Sequence, residues 1–182
     1  MHLFRPDLSL PKNDCISHHR ECIKILEDCG VDLIFFEGMN TVREAKAALE
    51  AVSEFDLPVW MSFVPNMDGN LLSGESLRSA AHHARSKGVS AVLVSAGSIP
   101  MITKSLPNIL NGEPCGAKAI IGQYSPPSWK PDFYPRFENT EEVSPEAYAQ
   151  QAQGWLDKGA LIIGGSSGTT PKHIHAVRNI ID

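Results

Sequence analysis

The sequence predicts an α/β fold built on a parallel sheet, and three observations support this prediction. Strand-like and helix-like segments alternate along the chain, which favours right-handed crossovers between parallel strands. The strand-like segments are short and almost continuously apolar, as in a sheet whose two faces are both covered. Polar and glycine-rich turns follow these strands, at the end where such folds place their chemistry. The 182 residues suffice for a sizeable core, so we expect one domain over residues 1–182.

Six helices are predicted from their capping residues and their apolar spacing. The second has the clearest beginning, because Thr41 is followed three residues later by Glu44, the pattern of a capping box. The fifth is expected to direct Ala147, Ala152 and Trp155 inward. The first is expected to present one apolar face, formed by Ile16, Cys22, Ile23, Ile25, Leu26 and Cys29. The predicted helices cover about 14–28, 42–55, 76–86, 99–110, 145–158 and 171–181.

Five strands are predicted between these helices. Glu37 stands at the C-terminal end of the first strand, where a carboxylate is costly to bury unless it is paired or faces a pocket. The segment 125–143 contains four prolines and is expected to form a long loop. Tyr124, Trp129 and Tyr134 could form an aromatic lid there, or could simply anchor the loop. The predicted strands cover 31–37, 58–63, 90–96, 117–124 and 160–163.

The charge and the apolar pattern argue against several classes of partner. The formal net charge is −5 and no basic patch stands out, so nucleic acid is not an expected partner. No apolar run reaches the length that spans a bilayer, so no membrane association is expected. The first residues lack the apolar core of a signal peptide. A cytoplasmic location is therefore expected.

The four cysteines do not suggest a disulfide framework or a metal site. Cys15, Cys22 and Cys29 are seven residues apart on the first predicted helix. Seven helical residues span about 10.5 Å, too far for a disulfide or a shared metal ion. Neither these residues nor Cys115 belongs to a C-x-x-C pair. We interpret the cysteines as small buried apolar residues.

The stretch 160–171 combines a short apolar strand, a glycine turn and the beginning of the last helix. Ser166 and Ser167 lie in this turn, at the C-terminal end of the predicted strand. They form either an ordinary turn or a polar ligand site made of their hydroxyls and the backbone N–H groups of 165–169. Serine-hydrolase chemistry is not expected, because the histidines of the predicted elements lie on helices rather than at strand ends.

Three stretches resemble the homocysteine S-methyltransferase domain, a (β/α)8 barrel family. Residues 30–37, followed by 44–48, are similar to the family's fourth strand, where a glutamate ends the strand before an "EA.AA" helix. Residues 57–63 are similar to its fifth strand. Residues 164–174 read GGSSGTTPKHI and resemble the family's eighth-strand signature, GGCCGTTPxHI. The resemblance implies methyl transfer to a thiol, with Glu37 contacting the amino group of homocysteine. Ser62 and Ser95 end neighbouring predicted strands, so they either line the same mouth or are simple turn hydroxyls.

The resemblance also identifies missing metal ligands. The family binds one Zn²⁺ through three cysteines, and the metal holds the homocysteine thiol as the reactive thiolate. The positions that match these cysteines are Ala96, Ser166 and Ser167. Neutral serine is a poor zinc ligand and alanine is none. We therefore expect no metal and no other cofactor.

The resemblance begins just before the family's fourth strand, so the first three βα units are not represented. Five strands cannot close an eight-stranded barrel at the usual tilt, and an open sheet leaves two edges. Three explanations stay open: the sequence is the C-terminal part of a longer protein, another chain completes the barrel, or the five strands form a stable open sheet.

Two functions are expected from these observations. The first is a homocysteine S-methyltransferase-like protein, with a small-molecule thiol or amino-acid substrate and without zinc-dependent activity as the sequence stands. The second is a non-catalytic binding or assembly module, as a homo-oligomer or with a chain that completes the barrel.

Overall fold

The computed structural model describes residues 4–124, 137–138 and 143–181, and within them it confirms the α/β fold. The helices are α1 (Lys12–Asp28), α2 (Val42–Val52), α3 (Leu77–Ser86), α4 (Ile99–Ser105), α5 (Pro145–Leu156) and α6 (Pro171–Arg178). The strands are β1 (Ile34–Met39), β2 (Val59–Phe63), β3 (Ala91–Ser98), β4 (Cys115–Ile120), β5 (Gln123–Tyr124), β6 (Phe137–Glu138) and β7 (Ile162–Gly165). No helix in the described part of the chain is long and apolar enough to cross a membrane.

Five of the strands form one parallel sheet in the order β1-β2-β3-β4-β7. Each strand pairs with the next strand of the sheet along the chain, and a helix separates them. This is the arrangement that repeated right-handed βαβ units produce. Within the described residues, β1 and β7 are the two edges of the sheet.

The segment after β4 departs from the prediction at the residues that the structure describes. The strand predicted to reach residue 124 ends at Ile120, and β5 pairs with β6 as a separate antiparallel ladder. Residues 125–136 and 139–142 lie outside the described residues, and with them Trp129 and Tyr134 of the proposed aromatic lid.

Small side chains allow the helices to pack closely on one face of the sheet. Ala47, Ala48 and Ala51 of α2 are completely buried, as are Met61 and Phe63 of β2. Thr41 and Glu44 form the predicted capping box at the beginning of α2. The Glu44 carboxylate is buried and accepts hydrogen bonds from the backbone N–H groups of Asn40 and Thr41 and from the Ser9 hydroxyl.

The predicted apolar face of α1 is only partly correct. Ile16 and Ile23 are buried, together with Cys15. The remaining predicted members of that face are exposed: Cys22, Ile25, Leu26 and Cys29. Our interpretation of Cys22 and Cys29 as buried residues was therefore wrong. The helix packs beside α2 at the edge of the sheet that β1 forms, so the described residues cover it on one side only.

The inward face of α5 differs from the prediction only near the beginning of the helix. Ala152 and Trp155 are buried as predicted, but Ala147 is exposed. Tyr148 and Ala149 face inward in its place. Ser144 accepts a hydrogen bond from the backbone N–H of Ala147, so the cap holds Ala147 in the first, outward-facing turn.

Candidate functional site

The strands direct alternate side chains to opposite faces of the sheet, and the two faces differ in composition. On β1, the ring of Phe36 packs against His19 of α1, with the ring centroids 5.3 Å apart. Its neighbours Phe35 and Glu37 therefore point to the opposite face. We call this the inner face and define it by Phe35, Glu37, Trp60, Ser62, Ser95 and Lys118.

A pair of opposite charges lies on the inner face. The Nζ of Lys118 on β4 contacts the Oε1 of Glu37 on β1 as an ion pair. The same Nζ lies 5.1 Å from the centre of the Phe35 ring, as a cation–π contact. Phe35 in turn meets Trp60 of β2 edge to face, at a centroid distance of 6.2 Å. The inner face thus places a carboxylate, an ammonium group and two aromatic rings together.

This contact also shows that the sheet is curved. β1 and β4 are three strand positions apart, which is about 14 Å along a flat sheet at the usual spacing of about 4.8 Å. Two facing side chains bridge that separation only if the strands curl toward each other. The inner face is therefore concave, and side chains from distant strands meet across it.

Glu37 lies within β1 rather than at its end, because the strand continues to Met39. Its side chain is nevertheless 51% exposed. Sequence reasoning did not single out Lys118, which was read only as part of an apolar strand. The sequence does mark this residue, because Lys118 is a lone lysine between Ala117 and Ala119 in an apolar strand. A charge in such a strand needs an oppositely charged partner or contact with solvent.

Ser62 and Ser95 lie on neighbouring strands, and their hydroxyls meet. The Ser95 hydroxyl donates to the Ser62 Oγ over 2.8 Å, and the backbone N–H of Gly38 donates to the same oxygen over 2.9 Å. Both side chains are completely buried. These hydroxyls link β1, β2 and β3 directly beside Glu37, so they fix the position of the strand segment that carries the carboxylate.

Ala96 occupies a bulge in β3, between Ser95 and Gly97, where the pairing with β4 shifts register. Its φ is +58°, in the left-handed region that costs a non-glycine residue about 1–2 kcal/mol. A bulge at this end of a strand redirects a side chain. At Ala96 that side chain is a buried methyl group.

Ser166 and Ser167 lie in the turn after β7, and this turn is fixed to the end of β4. The Ser167 carbonyl accepts hydrogen bonds from the backbone N–H groups of Ile121 and Gly122, at 3.0 and 3.2 Å. Gly168 has a φ of +91°, and a Cβ there would lie 2.4 Å from the Gly122 nitrogen. The close approach of two backbones therefore requires this glycine. The two serine side chains are half-buried.

The side chains of Ala96, Ser166 and Ser167 do not fit a zinc ion. A methyl group and two neutral hydroxyls do not form the thiolate or imidazole set that zinc prefers. Among the described residues, no group of three or more His, Cys, Asp or Glu side chains could hold a metal ion. Burial raises the pKa of the Cys15 and Cys115 thiols, which disfavours the thiolate form that binds metals.

The last part of the turn stabilises the helix that follows it. The backbone N–H of Thr170 donates to the Nδ1 of His173 over 3.1 Å. Because Nδ1 accepts, the ring hydrogen is on Nε2, which donates to the Val143 carbonyl over 3.0 Å. The histidine is buried between α5 and α6. The Thr-Pro-x-His part of the turn is thus a structural cap rather than a reactive group.

The amino-acid sequence matches known methyltransferases. A family model described as "Homocysteine S-methyltransferase" matches residues 3–181. The relatives include Homocysteine S-methyltransferase 2 of Arabidopsis thaliana, 31% identical over 163 residues that cover 87% of this chain and 48% of the relative. Selenocysteine methyltransferase of Astragalus bisulcatus is 28% identical over 166 residues, covering 90% of this chain and 48% of the relative. The chain spans about half the length of these curated relatives.

The fold also matches a solved structure. The metallated form of the homocysteine methyltransferase MmuM from Escherichia coli, a TIM-barrel-type enzyme, superimposes with a TM-score of 0.76 at 23% identity. The match covers 97% of this chain and 55% of that enzyme. The five-stranded sheet thus corresponds to about half of a barrel enzyme. Because the family model matches residues 3–181 of the 182, the protein belongs to the homocysteine S-methyltransferase family.

Proposed function

We propose that this chain binds a thiol-bearing or related amino acid on its inner face, as a homocysteine S-methyltransferase-like protein, without zinc-dependent methyl transfer. The observation that carries the proposal is the set of side chains at Ala96, Ser166 and Ser167, where the family resemblance places the three zinc-binding cysteines. We also propose that the chain is a single cytoplasmic domain and that it uses neither zinc nor another cofactor.

The chemical argument concerns the nucleophile. Methyl transfer to homocysteine requires the thiolate, whereas a free thiol has a pKa of about 8.5 and is mostly protonated at neutral pH. The zinc ion supplies thiolate stabilisation in the family. On the inner face, Glu37 is suited to an amino group, and the Lys118 ammonium is paired with it, so the two charges offset each other and supply no net positive charge to hold a thiolate. The site therefore favours binding over this reaction.

Zinc content and methyl transfer test the proposal. The purified protein, loaded with zinc and freed of excess metal, should retain less than stoichiometric zinc and should not methylate homocysteine from S-methylmethionine. The matched variant A96C/S166C/S167C restores the three thiols and should gain zinc. Stoichiometric zinc or homocysteine methylation by the unaltered chain would contradict the proposal, whatever the variant does.

A second candidate function is an assembly module whose barrel is completed by another segment or chain. Exposed apolar side chains near both edges of the sheet favour it. Ile25 and Leu26 lie on α1 beside the β1 edge and are 58% and 42% exposed. Leu161, directly before β7, is 69% exposed, and Ile174 on α6 is 43% exposed. Light scattering after size-exclusion chromatography tests this function, and a monomer that unfolds cooperatively would contradict it.

A further inference from the structure

The two members of the ion pair on the inner face, Glu37 and Lys118, differ in their exposure to solvent. The Glu37 side chain is 51% exposed, whereas that of Lys118 is 17% exposed. The lysine stem runs close to β7, since a Cβ on Gly164 would lie 3.0 Å from its Cγ. Its ammonium group is held by Phe35 and Glu37. The lysine is therefore fixed along its length, while the carboxylate remains open on one side.

Both members of the pair retain hydrogen-bonding capacity. The ion pair uses the Oε1 of Glu37, and a carboxylate has a second oxygen that accepts hydrogen bonds. The Lys118 ammonium has three N–H donors. A ligand with an ammonium group beside a carboxylate can use both: its ammonium binds Glu37 and its carboxylate binds Lys118. The four charges then alternate in sign around a ring, and the original ion pair need not break.

We propose that Lys118 binds the carboxylate of an α-amino-acid zwitterion whose ammonium group binds Glu37. This inference rests on the proposed amino-acid site and adds a second binding residue that selects for a carboxylate. Phe35 and Trp60 flank the pair and provide apolar surface for the ligand side chain, and a thioether or thiol sulfur makes favourable contacts with aromatic edges. A simple amine or a simple acid can satisfy only one of the two charges.

Calorimetric binding to the full chain in the presence of a chelator tests the inference without zinc chemistry. L-Methionine is the probe, and its two truncated forms, 3-(methylthio)propylamine and 4-(methylthio)butyrate, lack the carboxylate and the ammonium group respectively. The unaltered chain should bind L-methionine about tenfold or more tightly than either truncated form. Equal affinity for L-methionine and the amine would overturn the proposal without any variant.

Variants then separate the two charges. Lys118→Met should weaken L-methionine binding about tenfold or more without weakening binding of the amine, because it removes a like charge from beside the ligand ammonium, whereas Lys118→Arg should retain L-methionine binding. Glu37→Gln should weaken both ligands. Lys46→Met removes an equal charge from the exposed side of α2 and should change neither affinity. Thermal unfolding should show that Lys118→Met is folded.

The failure of this inference is distinguishable from failure of the proposed function. If Lys118→Met binds L-methionine as tightly as the unaltered chain, the role of Lys118 is wrong while the amino-acid site stands. If the unaltered chain binds no amino acid, both the amino-acid site and the role of Lys118 are wrong, but the absence of zinc-dependent transfer stands. Stoichiometric zinc in the unaltered chain would contradict only the proposed absence of zinc-dependent transfer.

Discussion

The two faces of the same five strands differ in composition and in the burial of neighbouring residues. On β2, the outward-facing Met61 and Phe63 are completely buried under helices, while the inward-facing Trp60 is half-buried on the concave side. On β4, Ala117 and Ala119 are buried outward, and Lys118 reaches across the inner face to Glu37. A one-residue step from Met61 to Trp60, or from Ala117 to Lys118, thus separates a completely buried side chain from a partly exposed one.

The largest effect should come from equal truncations on the two faces. Phe63→Ala removes a completely buried ring from the outer face and should lower the free energy of unfolding by about 3–5 kcal/mol. Phe35→Ala removes a half-buried ring from the inner face, so its cost in unfolding free energy should be clearly smaller. Urea unfolding of both variants measures the difference. Equal costs would mean that the inner face is as much a packed core as the outer face.

The next largest loss of stability should come from changing Tyr148, a residue of α5 that is hydrogen-bonded to β4 and β7. Its hydroxyl donates to the Gly164 carbonyl over 2.7 Å and accepts from the Ala119 N–H over 3.3 Å, and burial raises its pKa to about 12. Tyr148→Phe leaves a buried carbonyl and N–H without this partner, at a cost of about 1–3 kcal/mol. Thermal unfolding measures it.

Thr103→Val provides a matched control for Tyr148→Phe. Trp155 donates from its ring nitrogen to Thr103 on the outer side, away from the strand ends. Thr103→Val removes that acceptor and leaves both hydrogen bonds of the Tyr148 hydroxyl in place. Hydrogen exchange of Ala119 should accelerate in Tyr148→Phe and stay unchanged in Thr103→Val. Unchanged exchange in both variants would show that Tyr148 does not stabilise the strand ends.

A comparable pair of variants tests the cap at the beginning of α6. His173→Ala removes the side chain that accepts from Thr170 and donates to Val143, and should destabilise the protein by about 1–2 kcal/mol. His175→Ala, on the exposed side of the same helix, should stay within about 0.5 kcal/mol of the unaltered chain. Denaturant unfolding compares them. Equal effects would mean that the Thr-Pro-x-His segment is not a cap.

The outer face was largely predictable from the sequence, because its residues follow local rules. The apolar strands, the capping box at Thr41 and Glu44, and the alternation of elements all depend on residues close together in the chain. The exposed residues of α1 were not predictable in this way. Ile25 and Leu26 have the spacing of a buried face, and only the position of α1 at a sheet edge leaves them uncovered.

The inner face was less predictable, because it joins residues far apart in the chain. Glu37 and Lys118 are 81 residues apart, and their contact depends on the curvature of the whole sheet. Ser62 and Ser95 were found from their strand positions, but their hydrogen bond to each other depends on register, which no local pattern fixes. The family resemblance supplied Glu37 and offered no lysine partner.

The smallest effect should be a pH dependence of the free energy of unfolding that comes from His19, on the outer side of the sheet. Burial lowers the pKa of His19, whose ring packs against Phe36. The unfolded chain then binds this proton more readily than the folded chain, so stability rises with pH through the window below about 6.5 and falls on acidification. The pH dependence of the free energy of unfolding should be weaker in His19→Gln than in the unaltered chain. Ser17→Gln, at an exposed position on α1 that carries no titrating group, should leave it unchanged. If His19→Gln instead retains the full acid dependence, the outer face lacks a titrating group at this position, and its loss of stability must come from carboxylates elsewhere.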